Sequence, residues 1–138
     1  MKIFFDTNVY VAEALLEEAA EAMLAATENA SWRIFVSDYL LDEIERVLTD
    51  YLGFSARLSR LTRQRSARRA IRVTERPARH EVPNDPADSP ILRGALEAGA
   101  DYLVTNDRHL LALNPYEGLR IISMSDYYKL LDNEGLIS

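Results

Sequence analysis

Apolar residues along this chain switch repeatedly between a strand-like run and a helix-like spacing. Lys2 to Phe5 is a short apolar run closed by Asp6-Thr7-Asn8, residues that favour helix starts, and apolar positions 12, 15, 16, 19, 23 and 26 then follow with helical spacing. The pattern predicts strand, cap and helix. Trp32 to Val36 reads as a second strand, and Ser37-Asp38 opens a helix whose apolar face is Leu40, Leu41, Ile44, Val47 and Leu48. Residues 54 to 69 keep leucines at 58 and 61 among arginines, a basic helix, before a strand at Ala70 to Thr74 and a loop from Pro77 to Pro90. Ile91, Leu92, Ala95 and Leu96 form the next helical stripe, Gly99 supplies its stop, and Ala100 to Thr105 is a buried-type strand. Asp107 to Leu113 predicts a short helix, Leu119 to Ser123 a last strand and Met124 to Leu131 a last helix. Strands alternating with helices point to an α/β chain whose mostly parallel sheet is covered on both faces.

Composition narrows this picture. At 138 residues and 48% apolar the chain suits one domain, spanning 1–138. No apolar run approaches the ~18 residues of a membrane span, and Asp6 interrupts the apolar N-terminus at once, so a cytoplasmic protein with no membrane partner is expected. The absence of cysteine excludes disulfides, thiolate nucleophiles and cysteine zinc sites, so any metal must be held mainly by oxygen. The net charge of −6 hides an asymmetry: between Arg57 and Arg79 stand nine arginines against one acid, Glu75, whereas the remainder carries −14. Concentrated arginine on an acidic body reads as a local anion-binding face, although a solvated helix with its own ion pairs would look the same in sequence.

The acids carry the chemistry. In an open parallel sheet, ligands collect at the carboxyl ends of the strands. Phe5 is followed there by Asp6, and Val104 by Thr105-Asn106-Asp107, while the helix after Val36 carries Glu43 and Asp88 starts the helix feeding the Asp107 strand. If the first and predicted fourth strands are neighbours, Asp6, Glu43, Asp88 and Asp107 can converge. Two carboxylates ~4 Å apart repel by about 4 kcal/mol at an effective dielectric of ~20, and a hard divalent cation removes that penalty. Magnesium and manganese prefer oxygen ligands and suit phosphate-ester hydrolysis, polarising the phosphate and delivering an activated water. Each acid alone has a plainer role: Asp6 and Asp107 are good helix caps, and Glu43 lies on the flank of its helix opposite Glu45, about equally far from the apolar face.

Three segments resemble the PIN-domain nucleases, a family that includes the VapC-like toxins of toxin–antitoxin pairs: F-F-D-T-N-V at 4 to 9, S-D-Y-L-L-D-E-I-E-R-V-L at 37 to 48, and D-P-A-D-S-P-I-L-R-G-A-L-E-A-G-A-D-Y-L-V-T-N-D-R-H-L-L at 85 to 111. The resemblance implies a three-layer α/β/α domain with a central sheet of four to five strands and a Mg2+- or Mn2+-dependent ribonuclease site. Carried over position by position, it makes Asp6, Glu43 rather than Glu45, Asp88 and Asp107 the catalytic acids and metal ligands. Asn8 and Thr105 match small polar positions that orient ligands or water, and Asp85 matches a frequent further acid. Ser89 stands where the family often has another acid, a departure that bears on a second metal. RNA would be gathered by Arg57, Arg60, Arg63, Arg65, Arg68, Arg69 and Arg72 through phosphate contacts. Tyr10, Tyr39 and His109 are further residues able to stack on or steer a base, although such aromatics more often pack. A homodimer and an antitoxin partner are the family's expectations for assembly.

Two other classes compete. A phosphotransfer domain also sets aspartates at strand ends, but it needs a lysine near the site, and the chain has only Lys2 and Lys129. A non-catalytic module of the same fold would use the arginine segment alone to bind RNA or a protein. Glycine spacing supports neither a dinucleotide fingerprint nor a phosphate loop.

Overall fold

The computed structural model describes residues 1–74 and 89–137. Five strands form one sheet: β1 (Lys2–Phe5), β2 (Arg33–Ser37), β3 (Ile71–Val73), β4 (Tyr102–Val104) and β5 (Arg120–Ile122). Their order is β3-β2-β1-β4-β5 and every pairing is parallel. The crossovers contain α1 (Thr7–Ala14), α2 (Glu18–Asn29), α3 (Asp38–Arg46), α4 (Ala56–Arg68), α5 (Ser89–Glu97) and α6 (Arg108–Leu111), and α7 (Met124–Asn133) follows the last strand. A π-helical turn, Val47–Tyr51, extends α3. Among the described residues no helix is long and apolar enough to cross a membrane.

The layering follows from the alternation of side chains along β1. Phe4 lies against α5, where a Cβ on Gly94 would come within 2.9 Å of its Cζ. Phe5 points to the other face and meets Tyr127 of α7 edge-on, with centroids 5.5 Å apart. Neighbouring residues on a strand face opposite sides, so α5 covers one face and α7 the other. The result is a three-layer α/β/α arrangement. Gly94 allows helix and strand to approach this closely, a packing role rather than a turn.

The register sets the strand ends. Phe5 pairs with Val104, the Asp6 amide donates to the Val104 carbonyl at 2.9 Å, and the Thr105 amide donates to Ile122 at 2.9 Å. Asp6 and Thr105 therefore emerge side by side at the carboxyl edge. The two central strands are neighbours, as convergence of the acids required.

One predicted element divides. The apolar spacing from 12 to 26 is carried by two helices, because Leu16 adopts φ 63 and turns the chain. The Leu16 amide donates to Glu13 and the Glu17 amide to Ala12, the paired hydrogen bonds of a Schellman stop. Leu15 and Leu16 are consequently 48% and 75% exposed instead of facing the core. The strand expected at Ala70 to Thr74 is present as the short edge strand β3.

Candidate active site

Asp6 ends β1 and caps α1. Its backbone is extended, Oδ1 accepts from the Thr7 amide at 2.7 Å, and Oδ2 accepts from the Thr105 hydroxyl at 2.7 Å. The residue is only 5% exposed. A carboxylate can accept about four hydrogen bonds, so these two fix its orientation and leave acceptor capacity. Burial pushes its pKa up from 3.8 to about 6; the two hydrogen bonds oppose the rise, and nearby Glu43 and Asp107 add to it.

Thr105 links the two central strands chemically. Besides donating to Asp6, its hydroxyl accepts from the Asp107 amide at 3.0 Å. Asp107 in turn caps α6, with Oδ1 accepting from the His109 and Leu110 amides at 2.8 and 3.1 Å. Both bonds use the same oxygen. Oδ2 carries no hydrogen bond among the described residues, so the cap leaves one oxygen of the side chain as a free acceptor.

Glu43 reaches the same place from α3. Its Oε1 accepts from the Thr7 hydroxyl, and its Oε2 accepts from Tyr39 at 3.0 Å and touches Arg46 at 3.4 Å. Glu45, on the opposite flank, faces Arg63 at 3.6 Å. The helix thus divides its two glutamates between a cleft and a surface ion pair. Asp6, Glu43 and Asp107, with Thr7, Asn8, Val11, Val47 and Asn106, line one cleft of about 460 Å³.

Asp85 and Asp88 lie outside the described residues. Among the described residues no three acidic or histidine side chains are gathered closely enough to hold an ion. A cation nevertheless suits what is present: a buried carboxylate whose charged form is disfavoured, two further acids beside it, and unused oxygen acceptors. Neither Lys2 nor Lys129 lines the cleft, which removes the phosphotransfer reading's principal group. Thr7, Tyr39 and Asn106 were not assigned to the acid set from sequence. Thr7 lies inside the Asp6-Thr7-Asn8 cap, but its bond to a residue 36 positions away leaves no local signal.

The arginine segment divides as well. Arg69 grips the buried Glu13 with both terminal nitrogens and Arg65 adds a 3.2 Å contact, tying α4 to α1. Arg63 pairs with Asp42, and Arg72 with Asp38 at 2.5 Å. Arg57, Arg60 and Arg68 are exposed and have no ion pair among the described residues. Tyr10 is fully buried beneath Arg69, 5.8 Å from ring centroid to guanidinium, and is a packing residue.

The fold and the acid-lined edge define a class of α/β domain built for chemistry at the carboxyl ends of its strands. A family model described as PIN domain matches residues 2–109, and the chain belongs to the PIN-domain family. PIN domains are generally nucleases, hydrolases that generally use divalent metals. Among solved structures, the crystal structure of PAE2754 from Pyrobaculum aerophilum is similar, with a TM-score of 0.65 at 15% identity, covering 96% of this chain and 90% of that one. At that identity the likeness concerns the fold. No curated protein matches the chain.

Proposed function

We propose that this PIN domain is a magnesium- or manganese-dependent endoribonuclease of the VapC-like, toxin type. The observation that carries the reading is the meeting of Asp6, Glu43 and Asp107 at one cleft, with Asp6 buried and oriented from both sides. Asp6, Glu43 and Asp107 would hold the cation, with Asp88 of the family motif as a further ligand and Asp85 as an accessory acid. When bound, the cation supplies Lewis-acid polarisation of the phosphate and lowers the pKa of water. The chain's own residues supply the positioning. Thr105 and the Thr7 amide hold Asp6, the Thr7 and Tyr39 hydroxyls hold Glu43, and the α6 amides hold Asp107. Asn8, at the cleft wall, offers an amide to a phosphate oxygen or water.

Single-stranded RNA is the proposed substrate, gathered by the unpaired Arg57, Arg60 and Arg68 rather than by the whole arginine segment. An antitoxin and a second copy of the chain are the proposed protein partners, in a cytoplasmic setting. A purely non-catalytic RNA-binding module on this fold is less well supported, because much of its arginine surface is already engaged by acids of the same chain. The test is Asp6→Asn in a manganese-dependent cleavage assay on single-stranded RNA. Loss of several kcal/mol of charge stabilisation corresponds to about a thousandfold lower rate. An unaltered circular dichroism spectrum should accompany that loss, and wild-type activity in the variant would remove the site.

A further inference from the structure

A hollow of about 710 Å³ lies between α2 and α7, within the roughly 300–1,000 Å³ typical of small-ligand sites. It joins the acid cleft at Asn8 and Asn106, which line both. Met23 and Met124 make an apolar wall, the half-buried Tyr128 supplies a ring, and Lys129 stands exposed at the side. One exposed acid, Glu17, also lines the hollow, against the three carboxylates of the cleft, which repel an anion until a cation is present. An apolar hollow with a ring and two amides suits a flat, uncharged group carrying hydrogen-bonding edges.

The amides are placed for such a group. The Asn106 Oδ1 accepts from the Met124 amide at 3.1 Å, so its acceptor is engaged and its NH2 remains a donor. Asn8 is exposed and follows Asp6 by two residues, which puts its amide at the junction of cleft and hollow. Lys129 is one of only two lysines in the chain and has no ion pair among the described residues. A cation beside an apolar slot is the arrangement a nucleotide uses, with the base inside and a phosphate outside.

We propose that this hollow is a nucleobase subsite. It takes the base of a nucleotide flanking the phosphate held at the acid cleft, with the ring on Tyr128, its edge on Asn8 and Asn106, and a neighbouring phosphate near Lys129. The proposal rests on the ribonuclease reading of that cleft. It also specifies the form of the substrate, because a base must be unstacked and unpaired to enter, which single-stranded RNA permits and a duplex resists.

The test separates base recognition from cleavage. Binding of a fluorescein-labelled single-stranded RNA decamer and of an abasic ribose-phosphate decamer is measured by anisotropy in calcium, a hard cation that also takes oxygen ligands. The wild-type chain should bind the base-bearing strand about tenfold more tightly, the contribution of one stacked base. Ala19→Trp, which fills the hollow from an exposed position, and Tyr128→Leu, which removes the ring, should abolish that preference while leaving abasic binding unchanged. Ala19→Trp carries the test alone if Tyr128→Leu melts early. Equal binding of both strands by the wild type, or a preference surviving in Ala19→Trp, overturns the subsite. A preference unaltered by Ala19→Trp together with a changed oligomeric state assigns the hollow to a protein contact, which also overturns it. Failure of the nuclease reading shows separately, as manganese-dependent cleavage persisting in Asp6→Asn.

Discussion

The acid cleft and the arginine helix both announce themselves as charge clusters, and the folded chain treats them oppositely. Around Glu13 the opposing charges are brought together: a buried carboxylate receives Arg69 on both oxygens and Arg65 on one. Around Asp6 they are not. Burial raises its pKa and the two carboxylates beside it add to the rise, and among the described residues the cation in contact with the trio is Arg46, half-exposed, on Glu43. A charge cluster compensated within the chain is structure, whereas one left mostly without opposing charge and oriented by hydrogen bonds is suited to a ligand.

The largest effect is expected at Arg69. Removing it leaves Glu13, which is 4% exposed, with Arg65 alone at 3.2 Å, and breaking a buried pair of this kind costs about 3–5 kcal/mol. Urea unfolding should show that loss for Arg69→Ala and under about 0.5 kcal/mol for Arg60→Ala. Equal stabilities would mean that the Arg69 cluster is surface charge after all.

Next in size is the pH response of Asp6. A folded pKa raised from 3.8 to about 6 amounts to roughly 3 kcal/mol at about 1.4 kcal/mol per unit. Because the folded value is the higher one, this contribution to stability is fully present below about pH 4 and is lost as pH rises through about 6. In chelator, Asp6→Asn should therefore be more stable than wild type at pH 8, and the difference should shrink at pH 4. Manganese reverses the preference by favouring the ionised carboxylate, so its affinity should fall as pH drops below about 6. Calorimetry at pH 5 and 7.5 measures both the affinity and the released proton.

Smaller effects sharpen the contrast within a single helix. Glu43→Gln should lower RNA cleavage by about 10- to 100-fold, and Glu45→Gln by less than about twofold, since it removes a partly exposed contact to Arg63. Reversed values would exchange the two faces of α3. The least effect belongs to the unpaired arginines. Replacing Arg57, Arg60 or Arg68 by glutamine should reduce the slope of log affinity against log salt by up to about 0.7 each, without altering the preference for a base over an abasic strand.

Much of this was legible in the chain because local chemistry and tertiary position coincide. Asp6 stands directly after an apolar run and Asp107 three residues after one, and each caps the helix that follows its strand, so position at the sheet edge and local capping coincide. Gly99 marks its helix stop by being glycine, with φ +62. Leu16 makes the same kind of stop at φ 63 with a side chain that normally resists it, and the apolar spacing ran on across the break. The division of the arginines was equally hidden. Glu13 and Arg69 lie 56 residues apart, and which arginine meets an acid depends on how α4 packs on α1. Glu43 was separated from Glu45 by resemblance rather than by the helical wheel, on which the two are symmetric. Asp85 and Asp88 lie outside the described residues, so their part in the site stands as an expectation of the family motif.

The proposed function stands on the binding of a divalent cation by Asp6, Glu43 and Asp107. A crystal soaked in manganese and measured at the metal's absorption edge tests it most directly. An anomalous peak is expected in the cleft within coordination distance of Asp6, with Glu43 and Asp107 as direct or water-bridged ligands, and it should be lost in Asp6→Asn. A cleft without a peak at millimolar manganese and pH 7.5, with the three carboxylates turned apart, would contradict it.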